Sequence, residues 1–287
     1  METYWASMKK LFFNIVLLVL SPLMNYGQVC ISFTDKITVV QNEQLASYFD
    51  RQIEVFGLTI FAEPSVPHDK LVYVATVWAE LIDNNEDGIV DDPKILDQLA
   101  LSQAIMPVFG SQKSKAIRNI EKLIGDDQLG AILWAEEINP ASPGIVGEDA
   151  TVEELLHTMN SIGHVAVYPE LFYLEPGSSA LTEALDEARG GQFIKHPRRY
   201  PDEAWFHYDD RTCDYQCMAI EYLYWAILAN MNTLNAIDPE VYEMIKGEWE
   251  LIDRNALRSD ELMWKLLNES DVILPSRSPD GCYTPSN

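Results

Sequence analysis

Leu71, Val74, Ala75, Trp78 and the pair Leu81–Ile82 recur at intervals of three and four, the spacing that lines apolar side chains along one face of an α-helix. A helix from Asp69 through Leu81 follows from this, entered from a turn at Pro64 and Pro67. Similar signals predict helices over Lys94–Ala104, opened by Pro93, over Gln112–Ile124, and over Ala180–Arg189, capped by Ser178 or Ser179 and ended by Gly190 and Gly191. Further on, Cys213, Cys217, Glu221, Tyr224, Trp225 and Leu228 mark a helix that is apolar on most sides. Pro239–Leu267 reads as two helices broken near Arg254–Ser259. Strand signals are fewer. β-Branched runs at Ile31–Thr34, Ile37–Val40 and Leu58–Phe61 predict short strands around a helix over Glu43–Phe56, and Leu129–Trp134 reads as a buried strand or helix edge. The balance is mainly α with a minor β component, an α+β chain folded as one compact globular domain over residues 28–287.

The first residues follow a different pattern. From Met8, two lysines precede an apolar run, Leu11–Leu20, then a Pro break and a small Gly27, the pattern of a secretory signal peptide over residues 1–27, with Met1–Ser7 as an upstream start. The run is short of the about 20 residues that span a bilayer, and no later stretch qualifies, so a secreted, extracellular chain with no membrane span is expected. Four cysteines fit that oxidising setting. They allow three pairings, of which Cys30–Cys282, clasping the two ends, and a local Cys213–Cys217 bridge are favoured.

Charge narrows the partners. The chain has 45 Asp and Glu against 20 Lys and Arg, a formal charge of -25, which repels phosphate and so argues against nucleic acid and anionic membranes. Cations, basic proteins or extracellular matrix suit it better. The small basic cluster Lys113, Lys115, Arg118 and Lys122 reads as a solvated helix face.

The Asp69–Leu81 helix runs into Asp83-Asn84-Asn85-Glu86-Asp87-Gly88-Ile89-Val90-Asp91-Asp92. Oxygens from Asp83, Asn85, Asp87 and Asp91, the Ile89 carbonyl and the turn at Gly88 resemble an EF-hand calcium loop, because a hard cation takes six to eight oxygens and alternate residues of a tight loop point inward. Lys94 stands where the EF-hand has a bidentate Glu; Asp92, Asp97 or water would complete the shell, as in the Asp-rich loops of thrombospondin type 3 repeats, which the run also resembles. A lone loop of this kind implies a structural calcium site within a helix-loop-helix.

A second concentration of chemistry lies in Thr151–His164, where Glu153 and His157 are i and i+4 and His164 follows on the same face. Thr151 and Glu154 have the spacing of a capping box. The run Glu153-Glu154-Leu155-Leu156-His157 resembles the zincin metallopeptidase motif H-E-x-x-H with Glu in place of the first His. The resemblance implies Glu153 and His157 as zinc ligands and Glu154 as general base. The third ligand is assigned to Glu221, a lone carboxylate in an apolar run, with His164 as fallback; Glu183 and Glu187 read as an exposed acidic face. Tyr222 or Tyr208 would stabilise an oxyanion, and His196 and His207 sit in an aromatic loop region. Residues 60–227 together resemble secreted proteins of unassigned function that share the acidic loop, the E-E-x-x-H helix, an A-R-G-G turn (Ala188–Gly191) and a T-C-D-Y-x-C segment. The function expected is a secreted, calcium-stabilised, zincin-like hydrolase acting on peptide bonds. Its rival is a non-catalytic acidic calcium-binding matrix or adhesion protein.

Overall fold

Phe56 and Gly57 both take positive φ, 43° and 77°, in the computed structural model, which describes residues 30–125, 127–234 and 239–286. Such a two-residue turn matches the right-handed twist of paired strands, and it folds β2 (Arg51–Val55) back on β3 (Leu58–Ala62) with Val55 opposite Leu58 and Ile53 opposite Ile60. The helix expected over Glu43–Phe56 is therefore replaced by a 3-10 turn at Leu45–Ser47 and strand β2. Ile31–Thr34 is likewise no strand; a 3-10 turn covers Thr34–Lys36, and β1 is Thr38–Val39. The predicted leader, residues 1–27, lies outside the described residues.

From β3 the chain enters α1 (His68–Ile82), crosses the acidic loop, and continues as α2 (Pro93–Ser102) into β4 (Ile105–Phe109), which lies parallel to β3. Every residue of β4 is buried, so no alternation marks it in the sequence. A turn region and α3 (Ile117–Leu123), shorter than the expected Gln112–Ile124, lead to β5 (Leu133–Trp134) in a sheet of order β1-β2-β3-β4-β5. The predicted stripe of α1 is buried on the sheet, where Trp78 donates its indole N–H to the Val55 carbonyl at 2.9 Å. A smaller cluster of Phe49, Phe61, Phe109 and Ile120 covers the other face.

The rest is helical. α4 (Thr151–Thr158) runs through a π-helical turn, Met159–His164, into the short α5 (Val165–Val167) and α6 (Pro169–Phe172). Then come α7 (Ala180–Ala188), α8 (Tyr215–Met231), α9 (Pro239–Ile245) and α10 (Glu261–Asn268). α8 is buried almost all round and packs against α4 and α7. The architecture is the expected α+β, with helices outweighing strands.

Both favoured disulfides are present, Cys30–Cys282 and Cys213–Cys217. The local bridge needs no distorted helix, because Cys213 precedes the N-cap Asp214 and only Cys217 is helical. The C-terminal tail is held by far more than Cys282. Glu80, buried in α1, accepts the backbone N–H groups of Asp280 and Gly281 at 2.9 and 3.0 Å, while the Asn84 side chain exchanges hydrogen bonds with Ser276 and Arg277 and Glu86 accepts from Thr284. No helix among the described residues is long and apolar enough to cross a membrane.

Candidate metal centre

The expected capping box does not form. Thr151 is already inside the helix, and its hydroxyl donates to Asp149 at 2.7 Å. Buried Asp149 organises this helix start, accepting also from the Tyr73 hydroxyl and from the backbone N–H groups of Asn139 and Gly144. Glu154 is thereby released from capping, and its carboxylate stands 3.8 Å from Nδ1 of His157.

One turn of α4 and the middle of α8 meet at His157. Glu153, His157 and Glu221 each direct a ligand atom into a group within 4.8 Å of one another. The Glu221 carboxylate is 3.6 Å from Nε2 of His157, and that nitrogen is buried with no hydrogen-bond partner. Donors about 2.1 Å from a tetrahedral zinc lie about 3.4 Å apart, so a rotamer adjustment of about 1 Å in two glutamates closes the set around an ion. The Tyr224 ring stands edge-on to His157 at 5.5 Å, and the charges of Glu153 and Glu221 add to burial in raising the pKa of its phenol. Tyr208 lies beside Glu221, whose charge adds to burial in raising the pKa of the phenol.

Electrostatics give the cluster its character. Burial raises the pKa of Glu153 to about 7; His157 opposes this, and the charges of Glu221 and Glu154 add to it. At His157 burial works against the charged form, but the carboxylates of Glu154 and Glu221 beside the ring outweigh it and hold the pKa well above 6.5. Glu248 nearby is raised to about 7 by burial, with Asp209, Glu221 and Asp210 adding. Excess carboxylate charge is thus concentrated, half-buried, around one imidazole, an arrangement that a divalent cation discharges.

No family model, curated protein or solved structure matches this chain. The site is therefore read from its own geometry.

Of the expected residues, Glu153, Glu154, His157, Glu221 and Tyr208 come together. Tyr222 does not. Consecutive helical residues point about 100° apart, and Tyr222 turns into the core, where its hydroxyl donates to Asp260 at 2.5 Å. The fallback ligand His164 is also elsewhere. The π-helical turn carries it against Phe172, with Nδ1 2.9 Å from the Asn160 side chain, and burial lowers its pKa to about 4. Glu183 and Glu187 are exposed. Tyr224, three residues beyond Glu221, is the group sequence reasoning missed, although i,i+3 spacing could have found it.

In the acidic loop, Asp83 is fully buried and accepts from the backbone N–H groups of Asp87 and Gly88 and from the Tyr283 hydroxyl. Asn85 accepts from the Asp87 N–H, Asp87 from Ile89, and Asp91 from Asn84. Asp92 caps α2 through the Lys94 N–H and accepts the Tyr168 hydroxyl at 2.7 Å. The helix-loop-helix is as expected, while the group of three metal-type side chains found among the described residues lies at His157, not here. The two regions touch. α2 packs on the π-helical turn, closely enough that a Cβ on Gly163 would meet Ile95 at 2.9 Å.

Proposed function

We propose that this chain is a secreted metal-dependent hydrolase of zincin-like design, with zinc held by Glu153, His157 and Glu221 and peptide bonds as its substrate. The observation that carries this is the orphaned, buried Nε2 of His157 facing two converging carboxylates. Three protein donors leave a further position open, the hallmark of catalytic rather than structural zinc. An ion of that kind supplies Lewis acidity and lowers the pKa of water. The protein's own part is to bring two carboxylates and an imidazole together, the His157 proton being released as an ion binds. Glu154 sets a further carboxylate 3.8 Å from Nδ1, where it favours a proton on that nitrogen once Nε2 holds an ion, a positioning role beside the general base implied by the motif. Tyr208 and Tyr224 flank the two glutamates, Tyr208 beside Glu221 and Tyr224 beside Glu153. Calcium in the Asp83–Asp92 loop would serve stability, by fixing α1, α2 and the tail around a common point.

The test is metal analysis of purified protein followed by peptide hydrolysis. Stoichiometric zinc that disappears in Glu153→Ala and His157→Ala, together with chelator-sensitive cleavage, supports the proposal. Calcium alone, with no zinc and no cleavage, supports the acidic calcium-binding matrix or adhesion protein. That rival has one observation in its favour: the side chains of His157 and Glu221 are only 11% and 12% exposed.

A further inference from the structure

Two cavities on this acidic molecule are walled by cations. One, of about 630 Å³, is lined by Lys113, Lys115, Arg118 and Lys122, all exposed on a turn and on α3. The other, of about 530 Å³, is formed by Lys195, His196, Pro197, Arg198 and Arg211. They differ in what faces the interior. In the second, His196 is half-buried and its Nε2 is buried without a hydrogen-bond partner. Lys195, Arg198 and Arg211 are exposed and, among the described residues, form no ion pair, although acidic side chains outnumber basic ones 45 to 20; neighbouring Arg199 pairs with Asp202. The nearby Asp210 carboxylate is taken by the N–H and hydroxyl of Thr212. The cavity therefore offers cationic walls to an incoming carboxylate, above a histidine whose buried Nε2 is unpartnered.

Its position ties it to the metal centre. Lys195 pairs through its backbone with Asp214, the N-cap of α8, the helix that carries Glu221. Along that helix, at 1.5 Å per residue, Glu221 lies about 10 Å further on, a span covered by about three residues of extended peptide. The loop that forms the cavity also reaches the centre directly. Tyr200 stands edge-on to His196 at 5.7 Å and donates its hydroxyl to the carbonyl of Tyr208, whose side chain neighbours Glu221.

We propose that this cavity is a subsite for a carboxylate of the substrate, so that the neighbouring metal centre acts on acidic peptides. Its catalytic use rests on the hydrolase reading above, but the binding itself does not. Exposed cations exchanging water for a carboxylate give modest affinity individually, and an otherwise repulsive surface makes their convergence selective.

The experiment is calorimetric titration of the full chain, chelator-treated and zinc-loaded, with an N-acetylated, C-terminally amidated peptide containing three glutamates and with its glutamine counterpart. The glutamate peptide is expected to bind about tenfold tighter than the glutamine one in both states. The triple variant Lys195→Ala/Arg198→Ala/Arg211→Ala is expected to lose that preference, whereas Lys113→Ala/Arg118→Ala/Lys122→Ala keeps it. His196→Phe, which preserves the packing on Tyr200, should lose part of it. A glutamine peptide with a free C-terminus shows whether a terminal carboxylate serves as well as a side chain. Equal binding of the glutamate and glutamine peptides, or equal losses in the two triple variants, overturns the proposal. The two readings fail separately: glutamate-selective binding without zinc uptake sinks the hydrolase alone, and zinc-dependent cleavage indifferent to glutamate sinks the subsite alone.

Discussion

In the Asp83–Asp92 loop each aspartate accepts hydrogen bonds from the chain itself, whereas around His157 the carboxylates of Glu153, Glu154 and Glu221 crowd an imidazole whose Nε2 has no partner. Both regions are acidic, one following α1 and the other built on α4 and α8, and α2 packs against the π-helical turn between them. The difference shows that carboxylate density alone does not identify a metal centre. What matters is whether backbone N–H groups and hydroxyls already satisfy the oxygens. Within the loop they do, and the C-terminal tail adds to them; at His157 they do so only in part.

The comparison is broken most severely by removing a ligand. His157→Ala or Glu221→Ala should weaken zinc binding by roughly 100-fold or more, since about 10 kcal/mol of binding is shared among three or four donors. Asp83→Ala should leave zinc affinity nearly unchanged, and competition with a chromogenic chelator measures both. In stability the order reverses. Asp83→Ala strands two backbone donors and the Tyr283 hydroxyl, so urea unfolding in chelator should show a loss of about 3 kcal/mol.

Glu153→Gln should act in the opposite direction. Its pKa of about 7 in the fold lies above the usual 4.5, so the metal-free native chain takes up a proton that the unfolded chain releases between these pH values. That contribution to stability is complete below pH 4.5 and is lost as pH rises through 7, about 3 kcal/mol at most. The glutamine variant should therefore be more stable than the parent at pH 7 in chelator, with a flatter profile between pH 4.5 and 7; a parallel profile would contradict the account. The smallest effect expected is that of Tyr208→Phe, which removes the hydroxyl beside Glu221 and should weaken zinc binding about tenfold with little change in metal-free stability.

Much of this was legible in the sequence, and the failures share a cause. Period alone located α1, its buried stripe and the helix-loop-helix. It also misled, because Leu45, Phe49 and Ile53 recur every four residues as in a helix, yet are buried by a 3-10 turn, a connecting residue and strand β2. Pairing with β3, a long-range fact, decided the issue. β4 was invisible for the complementary reason: a strand covered on both faces has no polar alternation to show. At the site, i,i+4 spacing put Glu153 and His157 on one helix face and the resemblance to the zincin motif implied them as ligands, while Glu221 came from the cost of burying a lone carboxylate. Thr151 failed as a cap because Asp149, two residues earlier, holds more of the free donors around the helix start. His164 failed because a π-helical turn changes the angle between residues, which no regular period can foresee.

The Cys30–Cys282 bridge, reinforced by the hydrogen bond from the Ile31 N–H to the Tyr283 carbonyl, makes the chain between these cysteines a covalent ring. A protease that cuts one exposed turn between them opens the ring without releasing a fragment; dissociation needs a second cut or a reductant. The same closure places Cys30 and Cys282 side by side, their Cα atoms 4.8 Å apart, so a circular permutant of the residues between them, joined across this seam and reopened at a surface turn, should recover the fold.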